Sequence, residues 1–150
     1  MEIERKFLIP QLPEDLESYP HTHIWQGYLC ARPTLRIRKE VSGETEEYTL
    51  TYKGKGMMAR EETNLPLSRH GFLHLVGKID GVPIEKTRYR IPLDPYVIEL
   101  DIFEGHHEGI WMAEVEFPSV EEAEAFTAPD WFGPEVTNDH RYHNVWLAGL

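Results

Sequence analysis

Seven stretches of this 150-residue chain place charged side chains at alternate positions, the spacing that brings them onto one face of a β-strand. In the first, Glu2, Glu4 and Lys6 share a face while Ile3, Phe7 and Ile9 take the other. Arg36 and Arg38 project together, as do Arg60 and Glu62, Glu99 and Asp101, and Glu114 and Glu116. Glu47, Thr49, Thr51 and Lys53 oppose Tyr48, Leu50 and Tyr52, and Lys86, Arg88 and Arg90 oppose Tyr89 and Ile91. Any one of these pairs is an ordinary solvated sheet face. Together they take up eight of the chain's 15 Lys and Arg residues and sort the cations and acids largely onto different strands. Like charges on neighbouring positions repel by ~0.2–1 kcal/mol per pair unless something neutralises them, so counter-ions are implied. Guanidinium forks and ammonium groups suit phosphate oxygens, and Glu and Asp supply the hard oxygen ligands that Mg²⁺ or Mn²⁺ takes. The chemistry that fits both sets is the binding of a metal-associated polyphosphate.

Strands must position these residues, and eight are expected: Met1–Ile9, Trp25–Leu29, Thr34–Glu40, Glu46–Lys53, Arg60–Leu65, Pro83–Ile91, Val97–Phe103 and Met112–Phe117. Short links such as Ser42-Gly43 and Pro92 to Pro95 favour antiparallel hairpins. Helices are few and short: Pro13–Ser18, Ser68–Val76, Val120–Phe126, with Ser119 and Glu122 as a capping box, and Arg141–Ala148. The fold class is therefore mainly β with short helices (α+β). Eight strands with one apolar and one charged face could close into an antiparallel barrel whose lumen is a charged tunnel. No repeat, low-complexity tract or linker divides the chain, which reads as one domain over residues 1–150.

Composition excludes several classes of function. A formal charge of −11 disfavours nucleic acid and acidic membranes as partners, so an anionic ligand needs a local basic pocket. No apolar run is long enough for a bilayer, and Met1-Glu2-Ile3-Glu4 lacks the cationic start of a signal peptide, so a cytoplasmic location is expected. Cys30 is the single cysteine, which removes disulfide and thiolate-metal chemistry. His70 and His74 lack the remaining ligands of a zinc site, and Gly54-Lys55-Gly56 lacks the ending of a P-loop and reads as a hairpin tip. Trp146 and Leu147 are expected to pack a last helix over one mouth of the tunnel.

Glu2-Ile3-Glu4-Arg5-Lys6 resembles the Glu-x-Glu-x-Lys opening of the CYTH superfamily, the triphosphate tunnel metalloenzymes. The resemblance continues in order through Gln26-Gly27-Tyr28-Leu29, Leu35-Arg36-Ile37-Arg38, Thr51-Tyr52-Lys53, Glu85-Lys86-Thr87-Arg88-Tyr89, Glu99-Leu100-Asp101 and Glu114-Val115-Glu116-Phe117. Trp131-Phe132-Gly133, Val136-Thr137 and Arg141-Tyr142-x-Asn144 resemble the tail of the small bacterial inorganic tripolyphosphatases. What the resemblance implies is an eight-stranded tunnel that hydrolyses inorganic triphosphate to pyrophosphate and phosphate with Mg²⁺ or Mn²⁺, two ions in all, as a monomer or homodimer.

By similarity Lys6, Arg36, Arg38, Lys53, Lys86 and Arg88 hold the triphosphate chain, with Arg60 beside them. Glu2, Glu4, Glu114 and Glu116 hold metal, while Glu99, Asp101 and Glu62 complete a second metal site or position water. Tyr28 with Lys6 resembles a Tyr/Lys catalytic dyad, and Glu62 and Lys86 join them as expected catalytic residues. Two departures stand out: Asn64 occupies a position where relatives carry a carboxylate, and Arg90 adds a cation. The competing functions are thiamine triphosphatase, class IV adenylate cyclase, and a non-catalytic polyphosphate or nucleotide sensor.

Overall fold

Alternation becomes strand wherever both faces of a segment find a partner, and here both do. The computed structural model describes residues 1–150. Its strands are β1 (Glu2–Leu8), β2 (His21–Cys30), β3 (Thr34–Ser42), β4 (Thr45–Lys53), β5 (Ala59–Arg60), β6 (Glu62–Pro66), β7 (Asp80–Leu93), β8 (Tyr96–Glu104) and β9 (Trp111–Glu116). They form one antiparallel sheet in the order β5-β1-β9-β8-β7-β2-β3-β4-β6. The expected fifth strand is broken. Arg60 pairs with Glu2 of β1 and Glu62 with Lys53 of β4, so only Glu61 lies between the two edges of the sheet. This bend brings the edges together, and the expected eight-stranded barrel is a nearly closed one of nine strands.

The parity assignments hold. Glu4, Lys6, Arg36, Lys53, Lys86, Arg88, Asp101 and Glu114 are all buried, which is intelligible only if the charged face is the lumen. Outside, Ile3, Phe7, Tyr89, Ile91, Ile98, Leu100, Val115 and Phe117 form an apolar core with Leu16, Ala123 and Phe132. Ala123 comes from α2 (Val120–Ala125), whose Ser119 cap accepts from the Glu122 amide at 3.1 Å. The Glu122 carboxylate does not complete the expected box; it accepts from the Tyr96 hydroxyl at 2.8 Å. On the other side of the barrel α1 (Arg69–Val76) presses Phe72 against Trp25 and Tyr48. Of the expected Pro13–Ser18 helix only a 3₁₀ turn at Leu16–Ser18 forms.

The C-terminal segment does more than the sequence suggested. Gly133 and Val136 donate to the carbonyls of Leu8 and Lys6, at 2.7 and 2.8 Å, so the tail pairs along the part of β1 that β5 leaves free. The expected Arg141–Ala148 helix is instead a 3₁₀ turn at His140–Tyr142 followed by α3 (Asn144–Leu147). Val136 and Ala148 from this segment join Tyr28, Ile84, Phe103 and Met112 in a second apolar cluster. Gly81 permits the docking: its φ is +64°, and a Cβ there would lie 2.0 Å from the Ala148 carbonyl oxygen. Those apolar residues share parity with Lys86, Asp101 and Glu114, so one end of the lumen is filled by side chains. No helix is long and apolar enough to cross a membrane.

Candidate active site

Cross-strand register decides which charges meet. Lys6 stands opposite Glu114, Glu114 opposite Glu99, and Glu99 opposite Arg90, while Glu4 pairs with Glu116 and Arg88 with Asp101. The lumen they enclose holds a cavity of about 340 Å³ with no apolar residue in its wall. Seven carboxylates line it (Glu2, Glu4, Glu40, Glu62, Glu99, Glu114, Glu116) against five cations (Arg36, Arg38, Lys53, Arg88, Arg90). Lys6, Lys86 and Asp101 are buried behind this wall.

The carboxylates divide by how well they are neutralised. Asp101, 1% exposed, accepts both prongs of Arg88 at 2.8 and 2.9 Å and sits 2.9 Å from Lys86 Nζ. Burial alone would raise its pKa, but Arg88 and Lys86 outweigh burial and hold it below the usual carboxylate range. Glu114 is likewise held down by Lys6, Arg88 and Lys86 against its burial. Glu4 is the opposite case: burial first, then Glu114, push it up to about 8. Glu116 is raised by burial and then by Glu2, Glu99 and Glu62. Glu2 is raised too, by burial and Glu62, although Lys53 Nζ is 2.9 Å away and Arg60 3.7 Å.

Cations divide the same way. Arg88 is fully engaged, and Lys6 reaches Glu114 at 3.6 Å and Glu4 at 4.0 Å, keeping its proton despite burial. Burial, with Arg88 and Arg38 nearby, lowers Lys86 to about 8 even beside Asp101. On β3 the guanidinium groups have weaker partners. Arg36 touches only the Thr51 hydroxyl at 3.2 Å and leaves its Nε unbonded, while Arg38 donates to the Gln26 amide oxygen at 2.9 Å and lies 3.6 Å from Glu40. Burial first, then Arg36 and Arg88, lower the proton affinity of Arg38, and Glu40 only partly offsets them. The lumen thus has a β3 wall short of anions facing β1 and β9 walls short of cations.

The two departures from the family pattern take defined places. Asn64 accepts from Thr51 at 2.6 Å and donates to Glu62 at 3.1 Å, completing a chain from Arg36 to Glu62. Against its burial, the carboxyl of Glu2, then Asn64 and Lys53, hold Glu62 ionised, with a pKa of about 2. Arg90 lies on the cavity wall and donates to Thr22 at 2.8 Å.

Of the expected dyad, Lys6 is in the charged floor, whereas Tyr28 belongs to the apolar cluster, close enough to enter the field on Lys6. Arg60 lies outside the lumen cavity, joined to it through Glu2. Gln26 is a site residue that charge alternation does not single out. It is fully buried, orients Arg38 and leaves its own amide nitrogen unbonded; a polar side chain at the parity of Ile24 and Tyr28 was the available signal.

No three acidic or imidazole groups are already gathered as a coordination sphere, since the carboxylates turn toward the lumen cations. The donor set nevertheless fits a hard divalent cation. It is all carboxylate, and burial first, then neighbouring carboxylates, raise the pKa values of Glu4, Glu116 and Glu2, a shift that a bound cation would oppose.

An antiparallel barrel enclosing opposed acidic and basic walls defines a class, the triphosphate tunnel proteins. No protein-family model matches the chain. An inorganic triphosphatase of Nitrosomonas europaea is 41% identical over 150 residues, covering 98% of this chain and 96% of that protein. An inorganic triphosphatase of Acetivibrio thermocellus is 31% identical over 149 residues, covering 98% of this chain and 92% of that one. The crystal structure of the inorganic triphosphatase NE1496 is similar with a TM-score of 0.72 and 38% identity, over 99% of this chain and 94% of that one. The PH1012 protein of Pyrococcus horikoshii OT3 shares the fold, with a TM-score of 0.61 at 20% identity over 100% of this chain and 91% of the other. The chain belongs to the inorganic triphosphatase family within the CYTH superfamily.

Proposed function

We propose that the protein hydrolyses inorganic triphosphate to pyrophosphate and phosphate within the barrel, using Mg²⁺ or Mn²⁺. The observation that carries this reading is the pairing, across one 340 Å³ cavity, of guanidinium groups short of anions with carboxylates short of cations. A triphosphate with its metal supplies both deficits at once. Glu2, Glu4, Glu114 and Glu116 are the residues that would hold metal, with Glu62 and Glu99 available to a second ion. When bound, such an ion neutralises phosphate oxygens and lowers the pKa of water.

The chain's own residues do the rest. Arg36, Arg38, Lys53 and Arg88 fix and neutralise the phosphate chain, and Arg60 supports Lys53 at Glu2. Asp101 is assigned to locking Arg88 and Lys86 in place. Glu62, ionised and tethered by Asn64, orients the water that adds to a terminal phosphorus as the bridging P–O bond breaks. Lys53 lines the lumen and has its proton affinity lowered by burial and then by Arg36, which readies it to pass a proton to the departing pyrophosphate, while Lys86, wholly buried beside Asp101, and Lys6, backed by Tyr28, remain fixed charges. The reading includes a cytoplasmic enzyme, monomeric or homodimeric, without nucleic-acid or membrane partners, because the net charge of −11 accompanies cations turned inward.

The test is phosphate release from tripolyphosphate, ATP, thiamine triphosphate and pyrophosphate, each with Mg²⁺, Mn²⁺ or EDTA. Metal-dependent cleavage of tripolyphosphate well above the others is expected, lowered ~10²–10³-fold by Glu4→Gln or Arg38→Ala, as when one electrostatic stabiliser is lost. Tight binding without turnover on any substrate would make the protein a sensor, and greatest release from ATP or thiamine triphosphate would move it to an organic substrate.

A further inference from the structure

A second cavity, of about 770 Å³, lies between the turn at residues 31–34, the segment at residues 53–56 and the C-terminal residues 140–150. Lys53 and Asn144 line both this cavity and the lumen, so they form the partition between the two. Its charged lining is Arg32, Lys53, Lys55, Arg60, His140 and His143, without a single Asp or Glu, in a chain whose acids outnumber Lys plus Arg by 26 to 15. Lys53 and Arg60 reach forward to Glu2, whereas Arg32 and Lys55 pair with no carboxylate and stand exposed in the cavity. His143 is fixed by its bond to the Thr137 carbonyl at 3.0 Å, and His140 meets the Trp146 ring edge-on at 5.0 Å.

The two cavities therefore select different forms of phosphate. The lumen, with seven carboxylates, repels a bare anion and accepts one that arrives with metal. The rear cavity, whose charged side chains are all basic, has no carboxylate for a hard metal ion and favours the bare anion. Hydrolysis produces one of each: pyrophosphate, a chelating ligand that retains metal, and orthophosphate, a small dianion. We propose that the rear cavity is a metal-independent orthophosphate site that receives this product past Lys53 and Asn144. The assignment of the anion as product rests on the triphosphatase reading; the presence of the site does not.

Equilibrium dialysis of radiolabelled orthophosphate in EDTA tests the site on wild type, on Arg32→Gln with Lys55→Gln, and on Arg38→Ala. Wild type and Arg38→Ala should bind alike, and the double variant should bind at least about tenfold more weakly, having lost two charged donors. During tripolyphosphate turnover the double variant should resist inhibition by added orthophosphate at unchanged KM. No EDTA-resistant binding by wild type, or binding lost in Arg38→Ala and kept in the double variant, would overturn the proposal. Failure of the triphosphatase reading alone looks different: orthophosphate still binds in EDTA while no substrate turns over.

Discussion

Asp101→Asn separates a carboxylate that holds metal from one that holds cations. Asp101 is 1% exposed, accepts two hydrogen bonds from Arg88 at 2.8 and 2.9 Å and lies 2.9 Å from Lys86 Nζ as its ion-pair partner. Asparagine keeps the shape and one acceptor oxygen, but it turns an amide donor toward donors, leaves buried Lys86 without its ion-pair partner and leaves Arg88 only Glu99 at 3.2 Å and Glu114 at 3.8 Å. Breaking a buried pair from one side costs about 3–5 kcal/mol, which for a chain of this length is a fall in Tm of roughly 6–20 °C. The assay is urea unfolding followed by tryptophan fluorescence in EDTA, where no metal contributes. Adding Lys86→Met should recover part of the loss, because one orphaned charge is then gone while Asn still accepts from Arg88. A loss below about 1 kcal/mol in EDTA, or one that appears only when metal is present, would refute the clamp and return Asp101 to the metal site.

Two further outcomes follow from the same geometry. Glu4 is pushed up to about 8, so between the unfolded value near 4.3 and pH 8 the native state binds a proton that the unfolded chain does not. Stability in EDTA should therefore fall as pH rises through that window, by up to about 1.4 kcal/mol per pH unit, and Glu4→Gln should flatten the profile; a midpoint in urea that rises with pH would exclude the assignment. Gly81→Ala should cost roughly 1–3 kcal/mol through its φ of +64° and its contact with Ala148, and speed amide exchange at Val82, which donates to the Ala148 carbonyl at 2.9 Å. Gly77→Ala, at φ −71° with open space around it, is the control and should leave both unchanged.

Period-two alternation placed Glu2, Glu4 and Lys6, Arg36 and Arg38, Lys86 and Arg88, and Glu114 and Glu116 on common faces, because a strand admits no other arrangement of neighbours two apart. That same rule is local and fixes only relative orientation. Whether the charged face is inside depended on both sheet faces being covered, which the bend at Glu61 and the apolar shell of Phe7, Leu100 and Val115 bring about. Register, a long-range quantity, decided that Asp101 meets Arg88 and Lys86, that Glu4 lies near enough to Glu114 to be raised by it, and that Asn64 links Arg36 to Glu62. Nor did spacing reveal the tail along β1, the plug around Phe103 and Met112, or the rear cavity. Those arise where residues far apart in the chain, such as Lys6 and Val136 or Leu8 and Gly133, come into contact, and only the closed chain selects such pairs. The sequence by itself determined which charges travel together; the tertiary structure decided which of them are left without a partner, and so where a ligand is needed.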